Sequence, residues 1–567
     1  MNAETELKDP IYEKVFKDPI YGYIKIPSNV VNDIIDTPIF QRLRRITQTS
    51  FSPLYPSSNH NRFEHSIGVY TLGKIAGDSL TREIKEKVVP SRTVDWDRIN
   101  EIFSLACLLH DVGHAPFSHT GEDSYLAKTG KPYKALHEKL FELVGNNDFK
   151  KNVSKVLAAD VKPAAAHEIM SAIVGIQNFS QHFDDSFEKE FFARCITGYK
   201  FSKNDEQYHL YNCYIALLNS KVLDVDRLDY LIRDAFFTGF DTVNLDYQRL
   251  LSHITVTNNY KSDNKYQLAF YKGAISVIEN FVYAHDSERK WIQNQPTILY
   301  DMYIIQYVIS QLNKKFSTDN KKLFSYESIN EIGQILNNGL KVSLLCDDDI
   351  ISLMKTHCLC EDNLCREYFS RQDRRHPLWK TEAEYNAFFL KKIGPEVLDD
   401  LKDAMKATEV YLRNNSDEWI IKNDTITKIE TDLATIRDKL NANNGSNIVL
   451  QNRLKKYENE REKVYKVMKC LQTCSTDCGM TCDFVILNTN HFYSGFNTVD
   501  FSQINIVFPS KSGEVVRKFD DAVTSLRGKD KPSASFFYIF YKRSTSNKFE
   551  KEVIRDALSN TFFNNSA

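Results

Sequence analysis

The chain has 567 residues, and its 73 lysines and arginines balance 75 aspartates and glutamates, for a formal net charge of −2. Such a length can bury one large core plus a smaller domain. The balanced charge excludes bulk polycationic binding of nucleic acid, and no apolar run reaches the length of a membrane span. Only 11 cysteines in so long a chain argue against a disulfide framework and fit a reducing cytoplasm.

The N-terminal segment begins with polar residues 1–11, which do not resemble a signal peptide and are predicted to be disordered. The following stretch, KVFKDPIYGYIKIP, alternates apolar side chains between prolines and predicts a short β-hairpin. A helical pattern then leads from Val31 into DTPIFQRLRRITQ. Within it, Asp36 can be explained as the cap of a helix that begins at Pro38, and Arg44 as a solvated helix residue.

Residues 102–119, IFSLACLLHDVGHAPFSH, carry the densest chemistry of the chain. Their first eight residues are almost wholly apolar, which predicts a buried helix. His110 and Asp111 follow directly, His114 lies one turn further, and His119 comes after glycine and proline have ended the helix. Burying imidazoles and a carboxylate there costs several kcal/mol unless they are paired or bind a metal. A metal site is therefore predicted.

Further ligands must come from elsewhere in the chain. His65, in HNRFEHSIGVY, begins a periodic segment that is predicted to be helical. Asp226, in KVLDVDRLDYLIRDA, shares one predicted helix face with Tyr230 and Asp234 at positions i, i+4 and i+8. A satisfied core histidine is the competing explanation for any single imidazole. We predict that one divalent ion (Mn, Fe, Mg or Zn) is held by His65, His110, Asp111 and Asp226.

The blocks RFEHSIGV, LLHDVGHAPFSH and DVDRLDY together resemble the HD-domain metal-dependent phosphohydrolases, and most closely the deoxynucleoside triphosphate triphosphohydrolases. The resemblance covers residues 12–300 and does not include the sterile-alpha-motif domain of the vertebrate antiviral member. It implies hydrolysis at the α-phosphorus to a deoxynucleoside and inorganic triphosphate, regulation by a nucleotide, and a homodimer or homotetramer. A preference for dGTP and a role in antiphage defence are implied by the family alone.

The resemblance also implies roles for individual residues. Gln48 would hold the sugar 3′-hydroxyl and Arg62 the α-phosphate, although Thr49-Ser50-Phe51 replaces the usual Leu-Gly-Gly. The expected general acid is His114, oriented by His119, Asp111 or a neighbouring carboxylate. The expected catalytic residues are His114, His119, Asp111 and Arg62, and the expected substrate contacts are Gln48, Arg62, His114, His119, His167, Arg227, Tyr230, Asp234 and Tyr300.

Among these substrate contacts, Arg227 replaces a phosphate-binding lysine of the family, and Tyr300 matches a tyrosine that packs against the sugar C2′. Glu168, the neighbour of His167, can equally be a plain acid at a helix N-terminus. The arginine with which the family grips the γ-phosphate is missing. Ile292 stands at its position, and Arg289 or Lys290 would have to substitute.

A regulatory guanine-nucleotide site between subunits is also implied by the resemblance. An aspartate and a glutamine can read the guanine edge, and an arginine can pair with phosphate. The matching positions are Lys14, Val15, Asp36, Gln41, Arg44, Arg375 and Lys380, the last two in RQDRRHPLWK. As a charge run, that last segment can also be a solvated helix end.

Beyond residue 400 the apolar positions alternate steps of three and four, are broken by NANNGSN, and then resume. This pattern predicts an antiparallel helical hairpin over residues 420–470. DFVILNT, INIVFP and SASFFYIFYKR are predicted strands, and VIRDALSN a final helix. The cysteine rows 358–365 and 470–482 are interpreted as buried free thiols rather than zinc ligands.

The sequence thus predicts a mostly α-helical HD-domain core with small β-hairpins over residues 12–400, a helical hairpin region over 401–482, and a small α+β module over 483–567. Three functions are consistent with it. The first is a deoxynucleoside triphosphate triphosphohydrolase with a regulatory nucleotide. The second is an HD phosphohydrolase of a nucleoside monophosphate or cyclic nucleotide. The third is a nucleotide-sensing module with a vestigial site.

Overall fold

The computed structural model describes most of the chain. The described residues are 13–88, 94–122, 131–158, 164–220, 223–240, 244–258, 265–316, 323–330, 332–335, 339, 341–358, 362–372, 374–389, 395–443, 448–489, 503–511, 513–523, 536–542 and 551–556. The segment 1–11, predicted to be disordered, lies outside them. In the described part of the chain, no helix has the length and apolar character needed to cross a membrane.

The fold is mostly α-helical, as predicted. The principal helices are α1 Arg62–Lys87, α2 Trp96–Leu109, α3 Lys131–Val144, α4 Asn147–Ala158, α5 Ala166–Asn178, α6 Ser186–Thr197, α7 Glu206–Leu218, α8 Val225–Thr238, α9 Tyr247–Ser252, α10 Ile275–Glu288, α11 Pro296–Phe316, α12 Asp347–His357, α13 Asn363–Phe369, α14 Glu382–Phe389, α15 Pro395–Asn415, α16 Asn423–Asn443 and α17 Ile448–Asp477. Short helical turns cover Ser28–Val30, Val31–Ile35, Pro38–Gln41, Arg42–Arg45, His119–Glu122, Ser180–His182, Lys272–Ala274, Arg289–Gln293, Tyr326–Asn330 and Phe519–Ala522.

The strands form four small sheets. Their bounds are β1 Glu13–Asp18, β2 Gly22–Pro27, β3 Ile254–Asn258, β4 Tyr266–Tyr271, β5 Ile332–Ile335, β6 Lys341–Ser343, β7 His376–Pro377, β8 Phe484–Asn488, β9 Asn505–Ser510, β10 Gly513–Lys518 and β11 Phe537–Tyr541. The predicted N-terminal hairpin is β1–β2, and β5 pairs with β6. A four-stranded sheet has the order β10-β9-β4-β3, and a three-stranded sheet has the order β7-β11-β8.

The chain divides into two compact units. The first unit comprises Met1–Glu288, Val308–Glu361 and Ser494–Lys531, and the second comprises Arg289–Tyr307, Asp362–Tyr493 and Pro532–Ala567. This division differs from the predicted boundaries at residues 400 and 482. The strands expected in one C-terminal module separate, because β9 pairs in parallel with β4 in the first unit, whereas β8 and β11 pair in the second.

In the first unit, the start of α1 is fixed by a capping box. The Asn61 side chain accepts from the backbone N–H groups of Phe63 and Glu64, and the Glu64 carboxylate accepts from the Asn61 N–H. Asp224 caps α8 by accepting from the Arg227 N–H at 2.8 Å. These two caps fix where α1 and α8 begin, shortly before His65 and Asp226.

Helix α1 is buried along most of its length and packs against α2 and α8. The close approach to α8 requires glycine, since a Cβ built on Gly68 would lie 1.9 Å from Asp229 Oδ1. At Gly73 a Cβ would lie 2.4 Å from Cys107 Sγ on α2. The missing side chains let three helices converge around the polar residues described below.

The second unit contains the predicted helical hairpin, formed by α16 and α17. Its apolar seam buries Ile426, Ile429 and Leu433, and exposed Arg437 pairs with Glu458 across the two helices. Strand β11 is buried at every residue, and the Trp379 indole N–H donates to the backbone oxygen of Phe537 at 2.7 Å. This unit therefore has its own aromatic core.

Candidate active site

The four predicted metal ligands converge in the first unit. His65 Nε2 lies 3.0 Å from Asp226 Oδ1, 3.2 Å from His110 Nε2 and 3.5 Å from Asp111 Oδ2. His110 Nε2 lies 3.4 Å from Asp111 Oδ2 and 3.7 Å from Asp226 Oδ1. Three of the residues are buried, and only the Asp226 side chain is partly exposed. Residues from α1, the end of α2 and the first turn of α8 thus meet at one point.

The outer nitrogens of the two imidazoles are held by hydrogen bonds. His65 Nδ1 lies 2.7 Å from Asp229 Oδ2, and His110 Nδ1 lies 2.9 Å from the backbone oxygen of Cys107. Both partners are acceptors, so each Nδ1 carries a hydrogen and donates it. Each Nε2 lone pair is then directed at the other ligands, which is the tautomer that metal coordination requires.

The carboxylate of Asp229 is in turn fixed by a buried network. Arg233 donates to both of its oxygens at 2.9 and 3.0 Å, and Tyr21 donates to it at 2.7 Å. Arg233 also donates to Asp18 at 3.1 Å. Burial raises the pKa of Asp229, but Arg233 and His65 outweigh burial and lower it to about 2. Asp229 is therefore ionised and holds His65 firmly.

The donor set fits a divalent cation. Two ligand atoms that each lie about 2.1 Å from one ion, at right angles to each other, are about 3.0 Å apart. The separations given above between ligand atoms of the cluster run from 3.0 to 3.7 Å. Burial lowers the pKa of His65, yet hydrogen bonds to Asp226 and Asp229 raise it to about 9. The negative field that favours a proton on His65 favours a divalent cation at the same place.

Arg62 and Gln48 lie beside this cluster. Arg62 donates to Asp111 Oδ2 at 2.5 Å and to Ser118 Oγ at 2.8 Å. It also donates to the backbone oxygen of Gln48 at 3.5 Å, and Gln48 Oε1 is buried without a partner in the described structure. The two predicted substrate contacts are adjacent, and the glutamine amide retains hydrogen-bonding capacity for a ligand.

A second cluster groups the three other predicted histidines. The rings of His114 and His167 stack 4.5 Å apart, and His119 lies 5.0 and 5.1 Å from them. Glu122, which sequence reasoning missed, accepts from His119 at 3.0 Å and from His167 at 2.9 Å. The spacing of His119 and Glu122, at i and i+3 in one helical turn, is the signal that could have identified this acid.

The imidazoles of His114 and His167 differ in charge. Burial, followed by the nearby Arg62 and His167, lowers the pKa of His114 well below its ordinary value, so this ring is neutral. Burial also lowers the pKa of His167, but Glu122 outweighs it and raises the pKa to about 9. At neutral pH, His167 is the buried cation of the cluster.

A cavity of about 90 Å³ adjoins the predicted metal ligands His110 and Asp226. His167, Arg227 and Tyr230 also line it. Glu168 lines it too, while accepting from the Ala165 N–H at 2.6 Å as a helix N-terminal acid. Arg227 is the cation of this wall, and its Nη1 lies 3.8 Å from Asp224 Oδ2.

Asp234, predicted to contact the sugar, has a different neighbourhood. It is buried, and its Oδ1 lies 2.7 Å from His60 Nε2. Burial raises the pKa of Asp234 to about 7 and lowers that of His60 to about 3, so a neutral His60 donates to Asp234. The His60 ring also stacks on Phe237 at 4.8 Å. In this structure Oδ1 of Asp234 is therefore engaged with His60.

The positions matched to a regulatory site fall in both units. In the first, Lys14 donates to Asp36 at 3.1 Å, Arg44 donates to Gln41 at 2.9 Å, and Val15 is exposed. Asp36 follows the Val31–Ile35 turn, and Thr37 precedes the Pro38 helix, so the capping explanation of Asp36 is wrong. This exposed group is available to a ligand or to another subunit.

In the second unit, Tyr300 and Arg375 are buried together. The Tyr300 hydroxyl donates to Glu367 at 2.7 Å, and Arg375 donates to Glu367 at 2.5 Å and to Asp483 at 2.7 Å. Lys380 is exposed, whereas Ile292 is buried. The structure therefore gives Tyr300 and Arg375 structural partners within their own unit.

The cysteine rows form no metal cluster among the described residues, where the groups able to hold an ion are the two histidine clusters. Cys470 and Cys474 are buried free thiols, in agreement with their interpretation from sequence. Cys360 lies outside the described residues.

Comparison with protein families identifies an HD domain over residues 62–172, a range that contains His65, His110 and Asp111. The chain is 28% identical to the uncharacterized protein MG461 of Mycoplasma genitalium over 338 residues, which are 58% of this chain and 68% of that protein. It is 34% identical to the deoxynucleoside triphosphate triphosphohydrolase SAMHD1 of Gallus gallus over 256 residues, which are 43% of this chain and 37% of that protein. This chain thus matches less than half the length of the latter relative.

Solved structures resemble the chain over nearly its whole length. A hypothetical protein from Aquifex aeolicus superposes with a TM-score of 0.52 at 18% identity, covering 96% of this chain and 100% of that chain. A phosphohydrolase from Bacteroides thetaiotaomicron also gives a TM-score of 0.52 at 18% identity, covering 94% and 100%. At this identity the likeness concerns the fold alone.

Proposed function

Because the chain belongs to the HD-domain family and has a core similar to that of the deoxynucleoside triphosphate triphosphohydrolases, we propose that it is a phosphohydrolase that converts deoxynucleoside triphosphates to a deoxynucleoside and inorganic triphosphate. One observation carries the proposal. The Nε2 atoms of His65 and His110 lie within 3.7 Å of both Asp111 Oδ2 and Asp226 Oδ1, beside a cavity that the cationic Arg227 lines. Phosphoryl transfer needs this combination of cation sites and positioned phosphate contacts.

The proposed metal centre uses the four convergent side chains as ligands. When bound, a divalent ion supplies Lewis acidity that polarises a phosphoryl group and acidifies water. The protein contributes the tautomers of His65 and His110, which Asp229 and the Cys107 carbonyl fix in advance. It also contributes burial, which strengthens every charge interaction at the centre.

Arg62 and Arg227 are the proposed phosphate contacts. Arg62 is buried and already oriented by Asp111 and Ser118, so its guanidinium loses little freedom when it binds a phosphate oxygen. Arg227 lies on the cavity wall on the same side as Asp226, in the first turn of α8. Two fixed cations favour an anionic substrate and offset charge that accumulates during displacement.

The proton for the leaving 5′-oxygen is assigned to His167. Its pKa of about 9 keeps a proton on the ring at neutral pH, and the ring lines the cavity. His114, which is neutral, is assigned the role of a hydrogen-bond donor, because its Nδ1 accepts from the Ala115 N–H and its hydrogen must then be on Nε2. That Nε2 is buried without a partner in the described structure.

The proposal also includes regulation by a second nucleotide and assembly into a homodimer or homotetramer. The exposed group Lys14, Val15, Asp36, Gln41 and Arg44 supports it, since it offers both charges and an amide on one surface. A dGTP preference and a role in antiphage defence extend the same family resemblance, and turnover rates across the four dNTPs test the preference.

A specific observation favours a second candidate. Buried Ile292 stands where the family has its γ-phosphate arginine. A nucleoside monophosphate or a cyclic nucleotide has no γ-phosphate and does not need that arginine. Hydrolysis of such a nucleotide is therefore the alternative function.

One assay separates these functions. The protein is incubated with each dNTP, each deoxynucleoside monophosphate and cyclic nucleotides, with Mn²⁺ or Mg²⁺, with and without a second nucleotide. Inorganic triphosphate plus deoxynucleoside supports the first proposal, and turnover of monophosphates or cyclic nucleotides alone supports the alternative. Absence of turnover in every mixture would contradict both and favour the sensing module.

A further inference from the structure

A second, larger cavity lies in the first unit, outside the metal centre. Its volume is about 560 Å³, within the range of small-molecule sites. One wall is a face of α7 that includes His209 and Cys213. Residues of β4 form another wall, together with Asn505 of β9. The parallel pairing of β4 with β9 builds this second wall, so the cavity depends on the segment around residue 505.

The cavity is cationic. Lys200, Lys265 and Lys518 line it, and none of the described residues that line it is acidic. Lys518 is held in place, since its ammonium donates to Asn505 at 2.8 Å and Asn505 in turn donates to Gln267 at 3.1 Å and to the Leu268 backbone oxygen. Like charges around one cavity repel one another and are stabilised by a bound anion.

An unsatisfied buried group points to a ligand at the same place. The His209 side chain lines the cavity, the residue is 9% exposed, and its Nδ1 is buried without a hydrogen-bond partner in the described structure. Burial, followed by the charge of Lys265, lowers the pKa of this imidazole. A buried polar atom without a partner is unfavourable, and a ligand group that hydrogen-bonds Nδ1 would relieve this.

We propose that this cavity is a second anion site that binds a polyphosphate chain, either free or as part of a nucleotide. Three lysines match a chain of several charged phosphates better than a single carboxylate. Neutral His209 and the amide of Gln267 lie among them and supply further hydrogen-bonding groups. The proposal concerns binding alone and does not depend on the hydrolytic activity.

Ser220 lines both this cavity and the smaller one beside the metal ligands. The two sites are therefore neighbours, and a phosphate ligand has two places to bind. Any test has to distinguish them. Variants that change only the larger cavity do this, and so does removal of divalent metal, which weakens the smaller site.

The test is isothermal titration of the full chain with sodium tripolyphosphate, dATP and deoxyadenosine monophosphate, in metal-free buffer at moderate salt. The cavity variant is Lys200→Gln with Lys518→Gln. The matched control is Lys203→Gln with Lys272→Gln, which removes the same charge from lysines that do not line the cavity. We expect the cavity variant to weaken tripolyphosphate binding at least about tenfold, and the control less than about twofold.

Two further comparisons keep the result interpretable. Lys518→Arg, with Lys200 unchanged, retains the charge and should bind tripolyphosphate about as tightly as the parent protein does. Thermal melting checks that each variant is folded. Tighter binding of dATP than of tripolyphosphate assigns the ligand as a nucleotide, and equal binding assigns the phosphate chain alone. Equal losses in the cavity variant and the control, or no binding by the parent protein, would overturn the proposal.

Discussion

Asp229 Oδ2 lies 2.7 Å from His65 Nδ1, on the side of the imidazole opposite the metal ligands. This carboxylate orients the ring and fixes its tautomer, a role that commonly contributes 10–100-fold to metal affinity. It has a further partner in Arg233, whose guanidinium it shares with Asp18. Metal affinity and the stability of the α1–α8 contact are thus connected through one side chain.

Asp229→Asn should therefore weaken Mn²⁺ binding about 10–100-fold, because the amide no longer holds His65 with a full charge. Metal titration followed by elemental analysis measures the change. Asp18→Asn is the matched control, since it also removes a carboxylate from Arg233 but does not contact His65. Equal losses of metal affinity in the two variants would contradict a specific role for Asp229.

Divalent metal should stabilise the protein through the four convergent ligands. Adding Mn²⁺ at about 100 times its dissociation constant should raise the free energy of unfolding by about 2.7 kcal/mol. Chelation should reverse the gain. His110→Ala with Asp111→Ala should abolish the gain, bound metal and turnover together, whereas substitution of distant His182 should leave all three intact. The measurement is the melting temperature with and without Mn²⁺. If the parent protein melted at the same temperature under both conditions, the proposed metal centre would be wrong.

The pair Glu122–His167 should make stability depend on pH. The folded pKa of His167, about 9, lies above its ordinary value of 6.5, so its contribution is complete below pH 6.5 and disappears as pH rises through 9. The pKa of Glu122 is lowered, so its contribution is present above about pH 4.5 and is lost as pH falls. Both contributions coincide between about pH 4.5 and 6.5.

Glu122→Gln should accordingly cost about 1–2 kcal/mol of unfolding free energy near pH 6, and much less above pH 9. Denaturant unfolding of parent and variant at both pH values measures the difference. His119→Gln, which removes only the more exposed partner of Glu122, should cost less than half as much. A pH-independent cost of Glu122→Gln would show that His167 is not held charged by this carboxylate.

Much of the metal centre could be predicted from sequence because its ligands lie in three recognisable blocks. His110 and Asp111 end a buried helix, and His65 and Asp226 each lie in the first turn of another. Asp229 was missed because a carboxylate three residues after a ligand, in an apparently amphipathic helix, is usually solvated. Its role depends on how closely α1 and α8 approach, which helical periodicity does not report.

Charge states and distant strand pairings could not be predicted in the same way. The neutrality of His114 follows from complete burial beside Arg62, which becomes evident only once the chain is folded. The parallel pairing of β4 with β9 joins Ala269 to Asn505, so the pattern of either strand alone carries no trace of the other. For this reason the strands predicted for one C-terminal module lie in two different sheets, with β9 beside β4 and β8 beside β11.

Gly68→Ala tests whether the close approach of α1 and α8 positions the centre. Alanine is intrinsically about 1 kcal/mol better than glycine within a helix. However, its Cβ would lie 1.9 Å from Asp229 Oδ1 and 2.5 Å from Arg233 Nη2, so this buried ion pair must move. Overpacking of about 1–3 kcal/mol should outweigh the helix gain. We expect a net loss of stability and, because Asp229 moves, weaker metal binding.

Gly77→Ala provides the comparison, because it makes the same change on the same helix against Asn100 of α2, away from Asp229. It should lower the melting temperature and leave the affinity for Mn²⁺ within about twofold of the parent. Metal titration and thermal melting of both variants separate packing from positioning. If Gly68→Ala bound Mn²⁺ as tightly as the parent did, the orientation of His65 would not depend on the contact between these two helices.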